Sequence, residues 1–262
     1  MIFKNNNNNN NMNKLILITG SDYRYLPSIG RYIDSINNNS NFDKNYLVYL
    51  KDDQDLQTDY NRVKISTVNI DEIESLTSIR CLQHGEFLKS NLMHEIEDND
   101  VIFFTDGDVF LQRGMDDDEI NFLRKISDDE IYVGYNASKT DNLHDEYYRL
   151  TPNQNKVDFL EGINLSSHKV YNTGIVAMNK KTWSKVCKSY NVKFDQINNK
   201  FEHYAKQQWL LSLIFTTEGY NIIEMDYDIH NHNIYGIVPG TTYRDNSVYF
   251  NNKKCLFRHK HF

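Results

Sequence analysis

Short apolar runs alternate with segments of helical period through the first half of the chain, and this alternation restricts the fold more than any other feature. The run "KLILITG" (residues 14–20) ends in glycine, as a first strand does. In "YLPSIGRYIDSI" the apolar residues Leu26, Ile29, Ile33 and Ile36 recur at helical spacing. "NYLVYLK" (45–51) reads as a second strand and "NRVKIS" (61–66) as a weaker third. Residues 76–96 form a helical segment whose buried side carries Ile79, Leu82, Phe87, Leu88 and Leu92, and "VIFFTD" (101–106) is the next strand. This β-α-β-(β)-α-β order predicts an α/β fold with a central mixed, mostly parallel sheet and helices on its faces.

The second half is less regular. "EIYVGYN", "KVYNTGIVAMN", "YNIIEMD" and "KKCLFRH" read as strands. "KKTWSKVCKSY" and "FEHYAKQQWLLSLIFTTEG" read as helices, the second closing at Gly219. No linker or repeat divides the chain, so one domain is expected over residues 14–262. The asparagine tract at 5–11 cannot bury apolar area, and residues 1–13 are expected to be a disordered or poorly packed leader.

With 262 residues, 39% of them hydrophobic, the chain is long enough for a sizeable core. A net charge of -7 and a pI near 5.7 argue against a basic surface for nucleic acid. No apolar run approaches ~20 residues, so no transmembrane span is expected. The residues before Leu15 include no stretch suited to a secretory signal. Cys81, Cys187 and Cys255 match neither a metal-binding nor a paired pattern, which favours a reducing compartment and a cytoplasmic location. Asn38, Asn136 and Asn164 begin N-x-[ST] sequons, which a chain rich in Asn and Ser generates by chance.

One strand ends unusually. In "VIFFTDGDVFL" the most apolar run closes on Asp106 and Asp108, one residue apart. The triplet alone decides nothing, because Asp53/Asp55, Asp98/Asp100, Asp116/Asp118 and Asp226/Asp228 share its spacing. Its place distinguishes it, since ligands of open α/β sheets bind beyond the carboxyl ends of the strands. The other pairs lie mostly in polar surroundings expected of solvated loops, although Asp226/Asp228 also follows a strand. Gly107 between the carboxylates lets both converge. Hard divalent cations take such oxygens together with substrate phosphates.

These residues resemble those of a known family. "VIFFTDGDVFL" resembles the D-x-D segment of type-A-fold glycosyltransferases. "VYNTGIVAMNKKTW" (170–183) resembles the N-A-G segment of the glycogenin-like and lipopolysaccharide galactosyltransferase-like enzymes. "AKQQWLLSLIF" is similar to their D/E-Q helix, and "CLFRHKHF" to the late strand that delivers a histidine to the metal. The matches keep the family's order and span most of residues 14–262.

The resemblance implies a single Rossmann-like nucleotide-diphospho-sugar transferase domain. It also implies a bound Mn²⁺ or Mg²⁺ and a nucleotide-sugar donor, uridine-linked rather than guanosine-linked. Asp108 would be the principal metal ligand and His259 the third, with Asp106 binding the metal, the ribose or both. Thr19, Gly20 and Ser21 would line the nucleotide pocket. Asn172, Thr173 and Gly174 would sit beside the donor sugar, with Gln207 or Gln208 near the reacting centre. Arg80 or Lys89, on the helix before the D-x-D strand, would reach the diphosphate. The acceptor, glycan or protein, is left open.

The chain departs from the family pattern in three places. Gly107 stands where Ala is usual, Lys206 precedes the glutamines where an acid is usual, and the final His-x-x-Gly-x-x-Lys-Pro pattern is absent. His261 is therefore an alternative to His259. Tyr23, Tyr25 and Tyr135 are candidates for stacking on a base or sugar, but with 18 tyrosines packing is the commoner role. Trp183 and Trp209 are expected in the core. "DIHNHNIYG" (228–236), with two histidines two apart, reads as a polar loop or as a segment that touches a sugar acceptor or donates a metal ligand, the loop being the commoner case. His144, Asp145 and Glu161 lie where an acceptor could bind.

Two other classes compete. A non-catalytic glycan-binding relative would keep the fold and lose the nucleotide. A sugar nucleotidyltransferase would need a Gly-rich, basic loop after the first strand, where "TGSDYRYLP" has one glycine. The N-T-G and late-His resemblance leans toward a retaining transferase.

Overall fold

The computed structural model describes residues 12–22, 26–51, 63–69, 94–135, 142–151, 157–197, 206–231 and 238–259. Its centre is a seven-stranded sheet built from β1 (Leu15–Asp22), β2 (Lys44–Lys51), β3 (Lys64–Asn69), β4 (Val101–Asp106), β6 (Glu130–Gly134), β7 (Asn172–Asn179) and β8 (Asn221–Glu224), in the order β3-β2-β1-β4-β7-β6-β8. β1 pairs in parallel with β2 and β4, β2 with β3, and β6 with β8. β7 alone runs against its neighbours β4 and β6. The sheet is thus mixed and mostly parallel, as the β/α alternation predicts.

Alternation along the strands sorts the core into two layers. Ile16, Ile18, Ile102, Phe104, Ile131, Val133, Val176 and Met178 face one side. There they pack with Trp183, Val186 and Tyr190 of a helix at Lys180–Ile197 (α4) and with Trp209, Leu210 and Ile214 of one at Lys206–Thr217 (α5). Both tryptophans are buried, as expected. Leu15, Leu17, Val101, Phe103, Ile175 and Ala177 face the other side. There they meet Ile29, Tyr32, Ile33 and Ile36 of the first helix, α1 (Leu26–Asn39). Asn179 caps α4, its Oδ1 accepting from Thr182 N at 2.8 Å. Gly219, at φ +83°, ends α5.

Several elements differ from the sequence reading. "KKCLFRH" is two short strands rather than one. β12 (Lys253–Lys254) closes a three-stranded antiparallel sheet with β10 (Thr241–Arg244) and β11 (Ser247–Phe250). β13 (Phe257–His259) lies between β5 (Val109–Leu111) and β9 (His230–Asn231). Buried Cys255 and Leu256 carry the chain from one small sheet to the other. Two helices went unread, α2 (Asp117–Leu123) and α3 (Leu143–Leu150). The helix expected over 76–96 falls outside the described residues apart from 94–96, as does the tract at 5–11. Asn13, at the end of the expected leader, donates from Nδ2 to Arg124 O at 3.0 Å. Among the described residues, no helix is long and apolar enough to cross a membrane.

Candidate functional site

Strand direction assembles the site. β1, β4, β6 and β8 all end at one edge of the sheet, and β7 begins there. The register places Gly20 beside Asp106, and Gly134 beside Asn172. The carboxyl end of β4 and the N-T-G start of β7 are therefore neighbours.

After Asp106 the chain turns through Gly107 and Asp108 and enters β5. β13 pairs antiparallel with β5, setting His259 opposite Val109 and so next to Asp108. His259 Nε2 lies 3.3 Å from Asp108 Oδ1, with both side chains largely buried. One donor atom from each of Asp106, Asp108 and His259 falls within 4.8 Å of the others. Two ligands of a small divalent cation, at bond lengths of roughly 2.1 Å, stand ~3 Å apart when adjacent and ~4.2 Å when opposed. Two carboxylates and an imidazole at these separations could hold a metal ion.

Gly174 keeps this corner open. A Cβ there would lie 2.7 Å from His259 Cε1, 3.0 Å from Asn172 Oδ1 and 3.3 Å from Asp106 Oδ2. Gly174 N donates to Asn172 Oδ1 at 2.9 Å, which fixes the buried Asn172 carboxamide. Thr173 is buried beside them.

The other expected residues are placed unevenly. Thr19 is fully buried, and its Oγ1 sits 2.5 Å from Thr105 Oγ1. Its hydroxyl joins a buried contact between the strands. Ser21 continues β1, with only its backbone described. Gln207 is buried and Gln208 half-buried at the start of α5. Ser212, one turn beyond Gln208, accepts at Oγ from Tyr171 N at 3.0 Å, which ties this helix to the residue preceding Asn172. Arg80, Lys89 and His261 lie outside the described residues, as do Tyr23 and Tyr25. Tyr135 packs edge-on against Tyr227 at 5.1 Å. His144 is half-buried and meets Asp145 Oδ1 at 3.2 Å, and Glu161 is exposed.

Two residues contradict their sequence reading. His230, expected in a polar loop, is fully buried on β9, its ring centroid 5.7 Å from that of His259. Its signal was the pair of histidines in "IHNHN", but its burial depends on strand pairing with distant β13. Asp100, expected to be solvated, is buried at the start of β4. Its carboxylate accepts from Lys14 N at 2.8 Å and Glu97 N at 3.0 Å. Asp116 caps α2, and Asp228 pairs with Lys253 at 2.7 Å. These roles are structural and leave Asp106/Asp108 as the D-x-D pair joined by a histidine among the described residues.

No protein-family model matches the chain, and no curated protein matches it. Among solved structures, a similar chain is the galactosyltransferase LgtC, crystallised in complex with donor and acceptor sugar analogues. It is 14% identical, with a TM-score of 0.48, and the overlap covers 82% of this chain and 74% of that one.

Proposed function

We propose that the chain is a metal-dependent glycosyltransferase that moves a sugar from a nucleotide-sugar donor, uridine-linked, to a glycan or protein acceptor with retention of configuration. The observation that carries this reading is the convergence of Asp106, Asp108 and His259 where β4 ends, at the carboxyl edge of the sheet. A mixed set of carboxylates and imidazole suits Mn²⁺ better than the all-oxygen preference of Mg²⁺. When bound, such an ion would neutralise charge on the departing diphosphate.

The chain's own residues would bind and orient. Gly20, in register with Asp106 and two residues before the end of β1, carries no side chain, so a nucleotide can approach the backbone there. Arg80 or Lys89 is proposed to meet the diphosphate. Asn172, held by Gly174 N, would present its amide to the donor sugar. Gln207 or Gln208 would stand near the anomeric carbon, on a helix tied to Tyr171 through Ser212. A cytoplasmic location fits the buried thiols of Cys187 and Cys255.

A panel of nucleotide sugars incubated with the purified chain and Mn²⁺ tests this reading. Slow release of free sugar from one uridine-linked donor is expected, and it should stop in Asp108→Ala. If no donor in the panel is hydrolysed or transferred with metal present, the proposal fails.

A further inference from the structure

We propose that His230 is a positioning residue that fixes the imidazole of His259 at the metal site. The inference rests on the metal reading above and goes beyond it, because His230 is not one of the three candidate ligands.

A histidine that ligates a metal must have its ring orientation set by its surroundings. His259 ends a three-residue strand. Pairing with β5 and β9 fixes its backbone but leaves its side-chain torsions open. Asp108 Oδ1 holds Nε2 at 3.3 Å, and two further neighbours restrict the ring. One is Gly174, where any Cβ would come within 2.7 Å of Cε1. The other is His230. In the parallel pairing of β13 and β9, His230 stands beside Phe257, two residues before His259. Side chains two apart on a strand share a face, so His230 and His259 are diagonal neighbours. Their ring centroids lie 5.7 Å apart with planes inclined by 35°.

His230 is itself tightly seated. A Cβ at Gly134 would lie 2.6 Å from His230 Nδ1, 3.1 Å from its Cε1 and 3.0 Å from Asn172 O. The glycine at the end of β6 thus makes room for an imidazole, and that imidazole packs against the next. Gly134, His230, His259 and Gly174 come from β6, β9, β13 and β7, and together they connect the main sheet to the late strand that bears the ligand.

The test is a Mn²⁺ titration of the full chain, read by the paramagnetic resonance of the free aquo ion, below the metal-free melting midpoint of each variant. Asp108→Ala checks the metal reading and should bind no Mn²⁺. His230→Ala should raise Kd about tenfold, while His230→Phe, which keeps a planar ring in the same seat, should restore most of the affinity. Gly134→Ala presses a methyl group onto His230 and should weaken binding with His230 intact, which provides the test if His230→Ala does not fold. Wild-type affinity in a folded His230→Ala or Gly134→Ala protein overturns the inference, as does a His230→Phe protein no tighter than the alanine variant. A wild-type chain that binds no Mn²⁺ defeats the metal reading itself, and Asp108→Ala against wild type separates the two failures.

Discussion

His259 Nε2 stands 3.3 Å from Asp108 Oδ1 because β13 lies antiparallel along β5, with His259 opposite Val109. The contact joins two residues far apart in the sequence, and a three-residue strand pairing brings it about. Apolar packing holds that pairing, since Phe257 is buried against Phe103 and Phe42, with ring centroids 6.2 and 6.4 Å away. The candidate metal centre thus depends on the core beneath it.

Gly174→Ala should weaken Mn²⁺ binding and donor hydrolysis at least tenfold. The added methyl would lie 2.7 Å from His259 Cε1, and the buried ring has little room to retreat. Overpacking of this kind costs about 1–3 kcal/mol of stability, so the variant should still fold. Isothermal titration with Mn²⁺, alongside urea unfolding, separates the two effects. Unchanged metal affinity would show that the ring can move aside.

Asp100→Ala should destabilise the chain without touching the metal site. It leaves Lys14 N and Glu97 N without their carboxylate acceptor at the start of β4, the end remote from Asp106. Losing acceptors for such groups costs ~1–3 kcal/mol. Urea unfolding should show that loss, with Mn²⁺ affinity at the wild-type level. Wild-type stability in this variant would contradict the assigned role.

Asp116 supplies a pH-dependent increment. Its carboxylate accepts from Glu119 N, and chiefly for that reason its pKa lies below the usual carboxylate range, with Lys253 adding to the effect. The unfolded chain takes up this proton first as pH falls. The stabilisation is therefore complete above about pH 4 and is lost as pH drops through the lower folded value. Asp116→Ala should cost about 1 kcal/mol at neutral pH, and the gap to wild type should close in acid. A gap independent of pH down to acid unfolding would rule the carboxylate out as its source.

Cys187 and Cys255 should resist alkylation in the native state. Burial pushes both thiols up, Cys255 to about 12, and the thiolate is the reactive form. Iodoacetamide at pH 8 should leave both unmodified until urea unfolds the chain, as peptide mass spectrometry would show. Rapid native labelling of either would contradict their burial.

The main sheet was legible because its information is local. "LILITG", "NYLVYLK" and "VIFFTD" are apolar runs of strand length, and Ile29, Ile33 and Ile36 mark the buried face of α1. Asp106 and Asp108 were legible as a strand end. The small sheets were not. β10 and β11 are joined through Asp245 and Asn246, and β11 and β12 through Asn251 and Asn252, all at positive φ. Asp-Asn and Asn-Asn are turn pairs for such hairpins, but in a chain so rich in asparagine they do not stand out. The start of α2 carried a readable cap, Asp116 with Glu119 three residues later, within a run of acids that reads as a solvated loop. His230 and Asp100 were misread for a shared reason. Each looks polar in its own stretch, and only pairing with distant β13, or closure on Lys14, buries it.

The most direct measurement is the melting temperature of the full chain with uridine diphosphate, with and without Mn²⁺. Saturating nucleotide and metal together should raise it by about 5–10 °C, as expected near a hundredfold excess over Kd. Chelation of the metal, or Asp108→Ala, should abolish the shift. No shift with any nucleoside diphosphate in Mn²⁺, or one that survives both chelation and Asp108→Ala, would contradict a metal-held nucleotide at the end of β4.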